Sequence, residues 1–366
     1  MSRIVVKIGT SSLTDESGAI DSSVMERVAS EVAVLRARGH QVTLVTSGAI
    51  AAGLPRLGMD STRRPTDAVT LQAASSVGQP LLQQTWYEAL SAHGLVAGQI
   101  LLAPHNFGDR AQYLHARSTL QRLLELGAVP VINENDAVTD DEIRFGDNDR
   151  IAALVATLVG ADTLVLLTDT DGVLTADPKL DPQASLIEEI VHFDHQLDEF
   201  VGGAGTARGS GGMASKLLAA RIAAWSGVRT VIAHAGRSDV IAAAVDGVEG
   251  VGTTVVPRDT KLPSRKLWIG FAMPAVATIT VDAGARAALV AGGRSLLAAG
   301  VNGADGTFER RDPVEIADET GEVFAKGISR MTAVELEAVK GTSGAAAAND
   351  ELPRLVVHAD DLVVLG

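Results

Sequence analysis

The chain contains no cysteine. That absence excludes disulfides, thiolate metal sites and a cysteine nucleophile. Aromatic residues make up only 3% of its 366 residues, although 46% are hydrophobic. The core must therefore be built from Ala, Val, Leu and Ile, a composition suited to helices covering a parallel sheet. Basic charge is scarce: 31 Lys and Arg stand against 45 Asp and Glu, a net of −14. The resulting pI near 5.0 argues against general nucleic-acid or anionic-membrane binding. No apolar run reaches the ~18 residues that a membrane span needs. Arg3 and Lys7 interrupt a very short apolar start, so no secretory signal is apparent and a cytoplasmic location is expected.

What the chain has is glycine in special places. Residues 209–216 read GSGGMASK and run into a helical stretch. A glycine-rich loop exposes several backbone N–H groups, and a helix start adds a positive dipole end. Together they suit an anion such as phosphate. Lys216 lies between Ser215 and Leu217, so the Gly-Lys-Ser/Thr of a P-loop is missing. A second lysine, Lys7, lies near the end of the largely apolar run 4–8, just before the small polar loop of Gly9 to Ser12. Two lysines on two such loops look like a phosphoryl-transfer clamp.

The first ~255 residues alternate between strand and helix signals. Strands are predicted over 4–8, 41–46, 96–102, 129–133, 163–168 and 230–233, and helices over 22–38, 68–93, 111–126, 150–159 and 214–225. Gly39, Gly94, Gly127, Gly160 and Gly227 stop helices, while Asp21 and Asp109 are plausible N-caps. The expectation is an α/β domain over 1–256, with a mostly parallel sheet sandwiched by helices. A polar stretch with two prolines, 257–266, reads as a linker. Residues 267–366 read as a small β-rich domain. Strands are predicted there at 267–271, 277–281, 314–316 and 355–357, helices at 284–291 and 332–339, and a loose loop at 341–350.

Ligands of such sheets sit beyond the carboxyl ends of the strands. There the chain places Lys7, Ser47, residues 133–136, Thr168 and Asp169. Ser47 and the N–H groups after it could hold a carboxylate; alternatively, Gly48 merely packs a helix on the sheet. The acidic loops 133–136 and 146–149, with Asp140, Asp141 and Glu142 between them, could equally be solvated surface. Beside two lysine loops they gain other tasks: Mg²⁺ binding, lysine positioning and capture of a substrate ammonium. His192 and His195 have no accompanying ligand pattern, so no metal site is expected there.

Six motifs occur in order: VVKIGTSSLT, VTSGAIAAG, VPVINENDAV, FGDND, LLTDTDGVLTADP and GSGGMASK. They resemble the amino acid kinase family, in its glutamate-phosphorylating branch. The segments ITVDAGARAAL and SLLAAGV resemble a PUA domain, which that branch carries. The resemblance implies the amino acid kinase fold and ATP-dependent phosphorylation of the γ-carboxylate of L-glutamate, the first step of proline synthesis. It implies catalytic roles for Lys7 and Lys216, with Asp149 holding both lysines. It implies glutamate binding by Ser47, Asp136 and Asn148. It implies nucleotide binding by Lys7, Thr168, Asp169, Ser210, Gly211, Gly212, Met213, Ala214, Ser215 and Lys216. Mg²⁺ accompanies ATP, proline is the implied feedback inhibitor, and a homo-oligomer is implied. The chain departs from the pattern at Leu174, where Tyr is frequent, and at Arg310-Arg311-Asp312, where PUA domains usually show a glycine near the acid.

Two alternatives stand beside this reading. One is another acceptor: aspartate, N-acetylglutamate, carbamate or uridylate. The free-amine reading rests on Asp136, because an N-acetylated substrate has no ammonium to pair. The other is an RNA-binding or regulatory protein acting through its tail. Residues 262–366 carry ten Lys and Arg against fourteen Asp and Glu, a net of −4 that disfavours a phosphate-tracking surface.

Overall fold

The computed structural model describes residues 1–15, 17–61, 63–138, 147–176, 181, 183–191, 212–258, 261–341 and 354–365. Asp140, Asp141, Glu142, His192, His195, Ser210 and Gly211 lie outside the described residues. The chain forms two units, one of Met1–Asn106 with Ala111–Lys261 and the other of Phe107–Arg110 with Leu262–Gly366.

The larger unit is built on one sheet of eight strands. In chain order they are β1 (Arg3–Ile8), β2 (Gln41–Val45), β3 (Ala97–Leu102), β4 (Val129–Glu134), β5 (Thr163–Thr168), β6 (Glu189–Ile190), β7 (Arg229–His234) and β8 (Gly252–Val255). Their spatial order is β3-β4-β2-β1-β5-β7-β8-β6. All neighbours pair in parallel except β7 with β8. β2, β4 and β5 are buried along their whole length. This agrees with continuous apolar runs covered on both faces.

The helices are α1 (Thr10–Leu13), α2 (Ser22–Ala37), α3 (Ala49–Gly53), α4 (Ala68–Ser91), α5 (Arg110–Glu125), α6 (Asp147–Val159), α7 (Met213–Trp225) and α8 (Val240–Asp246). Asp21 caps α2 by accepting from the Ser23 N–H at 2.9 Å. Gly39, Gly94, Gly127, Gly160 and Gly227 adopt positive φ after their helices. The core is aliphatic as composition requires, with Trp86 among its few fully buried aromatics. Among the described residues, no helix is long and apolar enough to cross a membrane.

Two glycines set how closely α3 approaches α4. A Cβ on Gly53 would stand 1.8 Å from the Ala74 carbonyl oxygen, and one on Gly78 would stand 1.8 Å from that of Ala49. No side chain fits at either position. The same stretch of α4 carries Ser75 and Gln79, which bond Asp136 and Asn133 at the end of β4 and just beyond it.

The smaller unit is a six-stranded sheet of order β10-β14-β13-β12-β9-β11. Its strands are β9 (Ala277–Val281), β10 (Leu296–Leu297), β11 (Val301–Asp305), β12 (Pro313–Ala317), β13 (Val323–Ser329) and β14 (Leu355–Val364). Its helices are α9 (Ser264–Leu267), α10 (Ala283–Val290) and α11 (Ala333–Val339). A capping box starts α11, with Thr332 and Glu335 each bonding the other's backbone. The expected strand at 267–271 is corrected: α9 leads into a π-helical turn, Trp268–Ala272. Residues 269–272 are buried without alternation. Such an apolar run reads equally as strand or as buried helix. The N–H groups of Lys266 and Leu267 both bond the Pro263 carbonyl, which starts the coil inside the expected linker. At Arg311 the backbone turns left-handed, with φ 81°. Arginine there adopts the conformation that glycine would take without strain.

Candidate active site

Strand register builds the site. Lys7 pairs with Val45 on one side and Leu166 on the other, and Val45 pairs with Ile132. The residues just beyond this level are Thr46 and Ser47 after β2, Asn133 and Glu134 ending β4, and Thr168 ending β5. All the strand-end chemistry therefore lies along one edge of the sheet. The turn after β2 is fixed from behind by Trp86, whose Nε1–H donates to Thr46 Oγ at 2.9 Å. Gly48 makes that turn with φ 103°, which L side chains rarely adopt.

Lys7 and Lys216 meet on one carboxylate. Asp149 stands in the first turn of α6 and has no exposed surface. Its Oδ1 lies 2.6 Å from Lys7 Nζ, and its Oδ2 lies 3.4 Å from Lys216 Nζ. Ser215 Oγ donates to the same Oδ2 at 2.5 Å. Lys7 and Lys216 are themselves buried, at 4% and 7% exposure. Burial alone would raise the Asp149 carboxyl. The two lysines and the hydrogen bonds from Lys7 and Ser215 outweigh it, holding the group below its ordinary 3.8. Burial lowers the Lys7 ammonium below its ordinary 10.5, with Lys216 adding to that push and Asp149 opposing it. Two cations share one anion, so the fully charged cluster carries one surplus positive charge. It suits an anion that arrives later.

A neutral cluster adjoins the charged one through the Asn148–Asp149 peptide. Asn148 Nδ2 donates to Ser47 Oγ at 2.9 Å and to Asn133 Oδ1 at 3.2 Å. Asn133 Nδ2 donates in turn to Gln79 Oε1 at 2.7 Å. The side-chain oxygen of Asn148 is buried and has no hydrogen-bond partner among the described residues. Asp136, also buried, accepts from Ser75 Oγ at 2.7 Å. Burial lowers the Arg64 guanidinium, and the charge of Asp136 opposes that shift. A cavity of about 550 Å³ opens here, lined by Ser75, Gln79, Glu134 and Asp136 with Gln99 and Tyr87.

The structure thus joins Lys7, Asp149, Ser215 and Lys216, and separately joins Ser47 to Asn148. Thr168 and Asp169 follow one another at the end of β5, with Thr168 Oγ 3.1 Å from Asp169 Oδ1. Gly212 caps α7 without a side-chain bond, and Met213 and Ala214 begin that helix. Sequence reasoning missed Ser75, Gln79 and Arg64. The first two carried one signal, since they are polar residues four apart beside Gly78 on the buried side of a long helix. Among the described residues, no group of three or more His, Asp or Glu could hold a metal ion.

The amino acid kinase family model matches residues 2–234, and the PUA domain model matches residues 277–350. A glutamate 5-kinase of Burkholderia mallei is 44% identical over 338 residues, covering 92% of this chain and 90% of its own. One from Burkholderia thailandensis is 42% identical over 366 residues, with 99% and 98% covered. A UMP kinase structure from Bacillus anthracis aligns at TM-score 0.48 and 18% identity, covering 71% of this chain and 98% of its own.

Proposed function

The chain belongs to the amino acid kinase family, and from that premise we propose that it transfers the γ-phosphoryl group of ATP to the γ-carboxylate of L-glutamate. The product is L-glutamyl 5-phosphate, and proline synthesis is the pathway. The observation that carries the reading is the buried Asp149 bridging Lys7 and Lys216 on the carboxyl edge of the sheet. A carboxylate attacking ATP brings two anions together. Such a reaction needs positioning and charge neutralisation, and no strong base, because the acceptor is already ionised. Lys7 and Lys216 neutralise charge on the transferring group and the leaving ADP. Asp149 holds both ammonium groups in place before the substrates bind. The nucleotide would enter as its Mg²⁺ complex, the metal supplying further charge neutralisation on the phosphates. Thr168, Asp169 and residues 210–216 take the nucleotide. Ser47, Asp136 and Asn148 take glutamate, with Asp136 on its ammonium and the Asn148 oxygen, buried without a partner among the described residues, as a further acceptor. Residues 1–256 form the kinase domain and 267–366 the PUA-like domain. The protein works in the cytoplasm as a homo-oligomer, with proline as its inhibitor.

The test is an incubation with Mg-ATP, hydroxylamine and a panel of carboxylates, read as hydroxamate. L-Glutamate should react well and N-acetylglutamate poorly. Comparable turnover of the two would sink the free-amine reading.

A further inference from the structure

The bonds from Gln79 to Ser47 form one buried relay, and a relay of amides has a direction. As it stands, Asn133 donates to Gln79, and Asn148 donates to both Asn133 and Ser47. Ser47 Oγ is used here as an acceptor, so its proton is left to donate. Asn148 keeps its oxygen as a buried acceptor without a partner among the described residues. Run backwards, the same chain would consume the Ser47 proton and leave Asn148 offering an N–H₂. The two directions present opposite chemistry from the same side chains.

We infer that Gln79 is a positioning residue that fixes this direction and so makes the pocket complementary to a free amino acid. The inference rests on the proposed glutamate kinase reading. Gln79 stands at the far end of the relay and also lines the cavity that holds the carboxylates of Glu134 and Asp136. Ionised carboxylates only accept hydrogen bonds. Their field draws the Gln79 amide N–H₂ toward the cavity and turns its oxygen toward Asn133. Asn133 must then donate to Gln79 and accept from Asn148, and the direction propagates to Ser47. The result is one hydroxyl donor for a substrate carboxylate and one amide acceptor for a substrate ammonium. Gln79 is held at this spot by its neighbour Gly78, where any Cβ would strike the Ala49 carbonyl. Gln79 itself need never touch the reacting atoms.

The test compares Gln79→Met, which can neither donate nor accept, with Gln79→Glu, which can only accept. In Gln79→Met the glutamate KM should rise about tenfold or more, because the direction is no longer enforced. Its kcat should stay within about threefold and its ATP KM within about twofold. Gln79→Glu retains the acceptor for Asn133 and should keep the glutamate KM within about threefold of the parent. A Gln79→Met glutamate KM within twofold of the parent overturns the inference. Equal rises in both variants also overturn it, since that pattern reports lost shape and not lost direction. If Gln79→Met loses cooperative melting, Gln79→Lys takes its place as a donor-only side chain, and equal KM values for the Lys and Glu variants overturn the claim. A parent protein inert toward glutamate refutes the functional reading itself. An active parent with an unaltered Gln79→Met refutes the relay alone.

Discussion

Replacing Asp149 by Asn removes one charge and almost no volume, so its consequences are electrostatic. The parent carboxylate is fully buried, with Lys7 at 2.6 Å and Lys216 at 3.4 Å. Without it, two buried ammonium groups face each other with no anion between them. Removing one partner of a buried ion pair costs about 3–5 kcal/mol. The cost has a ceiling, because a lysine can shed its proton. At pH 7, deprotonating a group whose ordinary value is 10.5 costs about 1.4 kcal/mol for each of roughly 3.5 pH units, or about 4.8 kcal/mol. The expected destabilisation is therefore about 3–5 kcal/mol, a large share of a typical stability of about 5–15 kcal/mol. Its pH dependence has a definite sign. Loss of Asp149 depresses the folded pKa of Lys7 further below its unfolded value. Between those values the unfolded chain binds the extra proton, so the variant gains stability as pH rises. The difference from the parent is widest near neutrality and narrows toward pH 10. Acid also narrows it, because the stability due to Asp149 is present above 3.8 and is lost as pH falls through its lowered folded value. Urea unfolding of parent and variant at pH 5, 7, 8.5 and 10 measures this. A difference below about 1 kcal/mol at pH 7, or one unchanged from pH 7 to 10, refutes the buried-triad account.

Lys7→Ala and Lys216→Ala should each lower kcat by roughly 10²-fold or more, the scale of losing one electrostatic donor to a transition state. Steady-state hydroxamate kinetics decide it, and near-normal kcat in Lys216→Ala would remove the phosphoryl-transfer role of that loop. Gly78→Ala should destabilise the larger unit by about 3 kcal/mol or more, at the upper end of overpacking costs, because its Cβ would meet a backbone oxygen that cannot swing away. Melting temperature reads this directly, and a shift under 2 °C would mean that α3 and α4 separate freely.

The larger unit was readable because its signals were local. Apolar runs such as Ile4 to Ile8 stop at polar strand ends, and glycines such as Gly39 and Gly127 end helices with positive φ. Other elements gave weaker signals. β8 holds only Gly252, Thr253, Thr254 and Val255, and pairs antiparallel with β7. β14 continues through His358, Asp360 and Asp361, where polar residues read as an end. There Asp361 is buried and takes hydrogen bonds from Arg265 and Arg330, partners remote in sequence. The charged half of the site followed from its motifs. Ser47 and Asn148 followed from theirs too, but Ser75 and Gln79 did not, since they resemble any small or polar residue of a helix. Their roles come from contacts across 61 and 54 residues of chain.

The position of β1 bears on how the chain is made. It is the first strand synthesised, yet it lies inside the sheet, between β2 and β5. β2 follows soon, but Thr163 of β5, which pairs with Ile4, emerges about 160 residues later. At roughly 5–20 residues per second, one flank of a mostly apolar strand waits on the order of 10–30 s for its neighbour. During translation this flank is an open template for the wrong strand. Lys7, one residue before the end of β1, is a charged residue following the apolar run Ile4-Val5-Val6. A charge beside an apolar stretch is the kind of residue that discourages mispairing, so the lysine proposed for phosphoryl transfer also stands where such a gatekeeper would.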